Sequence, residues 1–128
     1  MAIMPLVKIY VRDNKNDAEL RAIGEAVHEA MVAQANVPPD DRFQILNRLS
    51  RDLIVTHPTY GGVKRSDDVV IVEITLNAGR TVEVKKNLYA DIALRLEGLG
   101  VRPDDVMVSL VEVTKENWSF GGGRATYA

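Results

Sequence analysis

The chain has 128 residues, 46% hydrophobic and 27% charged, with a formal net charge of −2. That length suits one domain with its own core, and the near-neutral balance offers no global field to nucleic acid or an anionic membrane. There are no cysteines, which excludes disulfides, thiolate metal sites and cysteine nucleophiles.

Met4 to Val11 is apolar and β-branched, and predicts a strand that ends at the polar turn Arg12-Asp13-Asn14-Lys15-Asn16. A helix follows, capped by Asn16 or Asp17. Its Leu20, Ile23, Val27, Ala30 and Met31 recur at helical spacing on one face. Pro38-Pro39 stops it. Phe43, Ile45 and either Leu46 or Leu49 make an imperfect strand. Residues 50–67 are the least regular segment, with His57-Pro58-Thr59-Tyr60-Gly61-Gly62 at the centre. Val69 to Leu76 is nearly all apolar, as expected for a strand covered on both faces. Asn77-Ala78-Gly79 turns the chain into a second helix, with Val84, Leu88, Ile92 and Leu96 at four-residue steps and Gly98 and Gly100 at its end. Val106 to Val113 is the last strand, and residues 114–128 form a tail.

The two halves repeat. Val37-Pro38-Pro39-Asp40-Asp41 recurs 64 residues later as Val101-Arg102-Pro103-Asp104-Asp105, and the same offset lays Leu6–Val11 on Val70–Thr75. The chain is strand–helix–strand, twice, with halves at about 5–49 and 69–113. Right-handed crossovers put each helix on the same side. The expected fold is therefore α+β: a duplicated βαβ unit forming a four-stranded mixed sheet with two helices on one face. Its other face is left uncovered by the chain's own helices, which predicts oligomerisation.

No apolar run is long enough to span a membrane, and no basic-then-apolar start marks a signal peptide. Cytoplasm is the expected compartment. Two histidines without cysteine argue against a zinc site. No glycine motif follows a strand as phosphate binding requires, and Gly121-Gly122-Gly123 reads as a turn in the tail. The expectation is no metal, no cofactor, no nucleic acid and no membrane partner.

Met4-Pro5-Leu6-Val7-Lys8-Ile9, the duplication, Val37 to Gln44, and Pro103 to Val106 through Trp118-Ser119-Phe120-Gly121-Gly122-Gly123-Arg124 together resemble the tautomerase superfamily. Within it they resemble most closely the malonate semialdehyde decarboxylase branch. The likeness runs from Pro5 to about Tyr127. It implies a homotrimer and an isomerase or lyase acting on a small keto or unsaturated carboxylic acid. The reaction is tautomerisation, decarboxylation of the malonate semialdehyde type, or hydration. It also implies catalysis by an amino-terminal proline, here Pro5. A free proline is a secondary amine, and in an apolar pocket its ammonium form is disfavoured. It then acts as a base or an acid, or forms an iminium ion with a carbonyl. A strand-opening proline needs no function, and the sequence is compatible with that too.

By the same resemblance Asp41 activates water or orients a carboxylate, whereas Asp40, Asp104 and Asp105 read as turn residues. Arg80 would hold the substrate carboxylate, since a guanidinium pairs with it bidentately. The branch carries two arginines near this turn, and here Asn77 stands at the first position. Trp118, Phe120 and Tyr127 match pocket-lining aromatics, and packing of the tail on a neighbour would select the same residues. Arg42 and Arg124 are weaker candidates for the carboxylate, and the roles of His57 and Tyr60 stay open. His28, off the main apolar face, reads as structural.

The chain departs from the pattern at Pro5 itself. With Met1-Ala2-Ile3-Met4 ahead of it, the Pro5 nitrogen is a tertiary amide without basicity. Either translation begins at Met4, which is then removed, or the extension is native and the chemistry is lost or altered. The alternative function follows from the second case: a non-catalytic trimer of the same fold, serving in binding or structure.

Overall fold

The computed structural model describes residues 5–128, so the expectations that fall on Met1 to Met4 lie outside the described residues. Six main elements follow in order: β1 (Leu6–Arg12), α1 (Asp17–Ala35), β2 (Phe43–Leu49), β3 (Val70–Asn77), α2 (Val82–Glu97) and β4 (Val106–Val113). The sheet order is β2-β1-β3-β4. β1 pairs with β2 and β3 with β4 in parallel, while β1 and β3 run antiparallel at the centre. Each parallel pair is one βαβ unit. The expected four-stranded mixed sheet under two helices is the fold observed.

Local chemistry places the helices. Asn16 caps α1 in a reciprocal box: its Oδ1 accepts from Glu19 N at 2.8 Å, and Glu19 Oε1 accepts from Asn16 N at 2.9 Å. Asn36 ends the helix in the left-handed region at φ 58°. The five apolar residues expected on one face of α1 are all buried. Thr81 caps α2 through its hydroxyl, and Leu88, Ile92 and Leu96 face the core. Gly24 lets α1 approach β2 closely. Its carbonyl accepts from Gln44 Nε2 at 2.8 Å, and a Cβ there would sit 2.8 Å from Gln44 Oε1.

The core lies between the helices and one face of the sheet. Val7, Ile9 and Val11 of β1 and Val70, Val72, Ile74 and Leu76 of β3 are buried there. The alternate residues of β3 are only half-buried, so the expectation of a strand covered on both faces is met on one face alone. On the open face stand Leu6, Lys8, Tyr10, Ile71 and Glu73, with Phe43, Ile45 and Met107 each 47% exposed. Lys8 and Glu73 face each other at its centre, 4.0 Å apart.

The face that each side chain takes also corrects the repeat. A shift of 64 residues would send the buried Val7 to the outward Ile71, because strand side chains alternate. In space Lys8 pairs with Glu73, and Ile23, Val27 and Met31 of α1 match Leu88, Ile92 and Leu96, all at an offset of 65. From Val37 and Val101 onward the offset is 64, carried by the buried pair Asp41 and Asp105. The second half is one residue shorter just beyond its helix.

Residues 50–67 run mostly without regular structure, as expected, but are held at both ends. Arg12, buried, donates to the carbonyls of Arg51, Ile54 and Asp67 at 3.1, 2.7 and 2.9 Å. Asp105, 1% exposed, accepts from Ser66 N and Ser66 Oγ, both at 2.6 Å.

The exposed ion pair of Glu25 and Arg42 contributes to the response to acid. Hydrogen bonding from Arg42 to Glu25, at 2.6 Å, holds the Glu25 carboxyl below its ordinary value of 4.5. A carboxyl depressed in the folded state favours folding above its unfolded pKa, and that contribution is lost as pH falls through the folded value. Glu25→Gln should therefore leave the melting temperature near pH 7 almost unchanged in its pH slope and flatten the slope below pH 4.5. Melting curves from pH 7 downward check this, and identical slopes in the two proteins would remove the pair from the acid response.

Candidate active site

The topology gathers one edge of the sheet. β1 and β2 begin there, and β3 and β4 end there, because the central pair is antiparallel. Pro5, the residue before β1, is buried at this edge. Phe43 opens β2 in register with Leu6. Asn77 closes β3 opposite Val113 of β4, and the tail leaves from the same place.

A cleft of about 270 Å³ opens here, lined by Pro5, Leu6, Phe43, Trp118, Ser119 and Phe120. Its rings are ordered. Trp118 stacks on Phe120 with centroids 5.3 Å apart and planes at 12°, and Phe120 stacks on Phe43 at 6.0 Å and 27°. Tyr127 meets Phe120 edge-on at 5.8 Å from outside the cleft lining. The tail can return this way because Gly121, Gly122 and Gly123 all take positive φ (144°, 68° and 69°), a run that side-chain-bearing residues rarely adopt. The Pro5 surroundings are thus apolar and aromatic, the setting in which a free amine loses its proton readily.

Asp41 lies two residues before Phe43 and is 8% exposed. Its backbone N–H donates to Pro38 O at 3.0 Å, so it belongs to the turn that delivers the chain to β2, next to the start of β1. Arg80 is near the edge but does not line the cleft among the described residues. Its Nε and Nη2 donate to Ala35 O at 3.3 and 3.1 Å, and its Nη1 to Asn77 O at 3.0 Å. Burial lowers the guanidinium pKa from its ordinary value, and Glu112 opposes that shift.

The other candidates lie elsewhere. Arg42 pairs with Glu25, and the Arg124 guanidinium lies beside Gly122. His28 Nε2 contacts Pro39 O at 2.7 Å, holding the proline turn against α1. His57 and Tyr60 meet edge-on at 6.2 Å within the segment that follows β2. Among the described residues no group of His, Cys, Asp and Glu is placed to hold a metal ion. No helix among the described residues is long and apolar enough to cross a membrane.

Four residues of this region were not singled out as site residues by the sequence: Leu6, Phe43, Ser119 and Asn77. Parallel pairing of β1 with β2 would have placed Phe43 beside Leu6, since the residues that open two parallel strands share one edge. Asn77 carries a further contact: its Oδ1 accepts from Trp118 Nε1 at 2.7 Å.

A duplicated βαβ unit, with a buried proline at the head of its first strand and an aromatic cleft beside it, defines the fold as a small α+β domain built from two like halves. The chain belongs to the tautomerase family: two family models, both described as tautomerase enzyme, match residues 41–121 and 5–63. It is 38% identical over 123 residues to the probable tautomerase YusQ of Bacillus subtilis (strain 168), spanning 95% of this chain and 97% of that one. It is also similar to a malonate semialdehyde decarboxylase, FG41, solved after inhibition by 3-bromopropiolate. That likeness has a TM-score of 0.89 and 37% identity, over 95% of this chain and 93% of that one. A fused 4-OT protein, described as a symmetric trimer, matches with a TM-score of 0.73 and 26% identity over 93% and 94% of the two chains.

Proposed function

We propose that this protein is an enzyme acting on a small keto or unsaturated carboxylic acid, with Pro5 as its reacting amine. The observation that carries the reading is the apolar cleft of about 270 Å³ with the buried Pro5 in its lining. A pocket of that size admits a short acid, and its apolar lining disfavours the charged form of the amine.

The chemistry follows from a chain that begins at Pro5. Neutral, the amine accepts a proton from an enol hydroxyl or an α-carbon, and returns it to carbon as the carbonyl forms. With a β-keto acid, the protonated amine hydrogen-bonds to the carbonyl oxygen and polarises it, or the neutral amine condenses with the carbonyl to an iminium ion and releases water. The electrons of the breaking carbon–carboxylate bond then flow into that sink and carbon dioxide leaves. In the first route the ammonium proton goes to the carbon that lost carbon dioxide; in the second that carbon takes its proton from water, and hydrolysis of the iminium frees the amine. Asp41 accepts a proton from water or steers the carboxylate, and Arg80 anchors the acid through its charge. The similarity to a decarboxylase supports this substrate class. Assays of carbon dioxide release from malonate semialdehyde and of ketonisation of the enol of phenylpyruvate test it. Turnover of neither by the form beginning at Pro5 sinks the reading.

A second reading is favoured by Arg80, three of whose bonds go to backbone carbonyls. There the protein is a non-catalytic trimer and Arg80 serves the fold.

Both readings share the homotrimer, supported by the open sheet face and by the trimeric relative. Sedimentation should give three times the chain mass of 14.2 kDa. Ile71→Lys, between Tyr10 and Met107 on that face, should yield monomer, because a buried unpaired charge costs more than the interface recovers there. A wild-type monomer at working concentration would end the trimer proposal.

A further inference from the structure

Trp118 and Asn77 join the tail to the sheet at the mouth of the cleft. The indole Nε1 donates to Asn77 Oδ1 at 2.7 Å. An indole nitrogen only donates, so the amide orientation is fixed, with its oxygen toward the ring. The Asn77 backbone carbonyl in turn accepts from Arg80 Nη1 at 3.0 Å. Beyond Trp118 the wall continues by stacking through Phe120 to Phe43, and the one further bond of Phe120, from its N–H to Thr126 Oγ1 at 3.2 Å, stays within the tail. The tail holding Trp118 and Phe120 is a short 3-10 turn followed by three glycines in left-handed conformations, and it belongs to no strand. Stacking is weakly directional, so the polar contact is what fixes where the rings stand.

We propose that Asn77 is a positioning residue: its amide latches the Trp118 indole as a wall of the Pro5 cleft and so sets the shape that the cleft offers an acid. The kinetic part rests on the proposed function, and the latch itself does not.

Trp118 is the single tryptophan of the chain, so its fluorescence reports the wall directly. Asn77→Leu fills similar space and cannot accept the bond. Its emission should move to longer wavelength, with stronger acrylamide quenching, in a protein that still melts cooperatively. On malonate semialdehyde its kcat/KM should fall about tenfold, mostly through KM, as the loss of one hydrogen bond with its donor left unpaired implies. Asn77→Asp, whose carboxylate accepts the same N–H, should keep the emission and quenching of the unsubstituted protein. Folded Asn77→Leu with unchanged emission overturns the latch, as does Asn77→Asp shifted as far as Asn77→Leu. Shifted emission with unchanged kcat/KM overturns the role in positioning. Should Asn77→Leu not fold, Asn77→Ala, read in the same way, decides. Where the unsubstituted protein turns over no acid, the functional reading fails, and emission alone still decides the latch.

Discussion

A chain beginning at Pro5 should turn over its acid about 10²–10⁴ times faster than one carrying Met1 to Met4, the range that a positioned general acid or base supplies. Acylation delocalises the nitrogen lone pair into the carbonyl and so removes its basicity, whatever pocket surrounds it. The structural setting sharpens the expectation. Pro5 is buried, and Leu6, Phe43, Trp118 and Phe120 line the cleft with it, so the space is apolar and small. Pro5→Ala in the short form should fall between the two, since a primary amine remains but lacks the ring that fixes its direction. Intact mass establishes each chain's first residue, and kcat/KM ranks the three. Equal rates in the short and extended forms would take the reaction away from the Pro5 nitrogen and leave Asp41 and Arg80 acting on water.

Arg80→Ala should cost on the order of 2–4 kcal/mol in kcat/KM for an anionic substrate, the scale of a charged bidentate contact. The same change should lower stability, because Ala35 O and Asn77 O lose their donor together. The two effects separate. Three of the five N–H groups of the guanidinium are used on those carbonyls, which leaves two and the charge for a carboxylate. Arg80→Lys keeps the charge and one point of donation. It should recover much of the melting temperature and little of kcat/KM, because a lysine cannot hold a carboxylate with a planar fork. A loss of stability with unchanged activity per folded molecule would assign Arg80 to the fold and favour the non-catalytic trimer.

The architecture was legible because its signals were local and repeated. Leu20, Ile23, Val27, Ala30 and Met31 mark a face, and each falls in the core. The two Pro-Asp-Asp turns mark the return of the chain, and each delivers a strand to the outside of the sheet. Strand faces were harder. The apolar run Val69 to Val72 masks the alternation of β3, which only Glu73, Thr75 and Asn77 mark further along, and pairing with β1 shows the inward set directly. A repeat aligned by identity at Val37 and Val101 hid the one-residue step that reverses those faces.

The candidate site was legible as residue types and not as contacts. Pro5, Trp118 and Phe120 line one cleft, and Tyr127 meets Phe120 from outside that lining. Phe43 was seen as a strand former, and its second role arises from a neighbour 37 positions away in sequence. The bonds of Arg80 and Asn77 go to backbone or to a distant ring. Such partners leave no spacing in the chain to read.

The near-symmetry of the two halves has a limit of stoichiometry. The spatial counterpart of Pro5 is Val70, fully buried in mid-chain, where its nitrogen is an amide. A polypeptide has one first residue, so only one half can ever present a terminal amine. A trimer of such chains holds six βαβ units and room for three reacting nitrogens. A reagent that titrates the amine should therefore saturate at one equivalent per chain. In the second half the matching carboxylate, Asp105, accepts from Ser66 instead and anchors the long segment after β2.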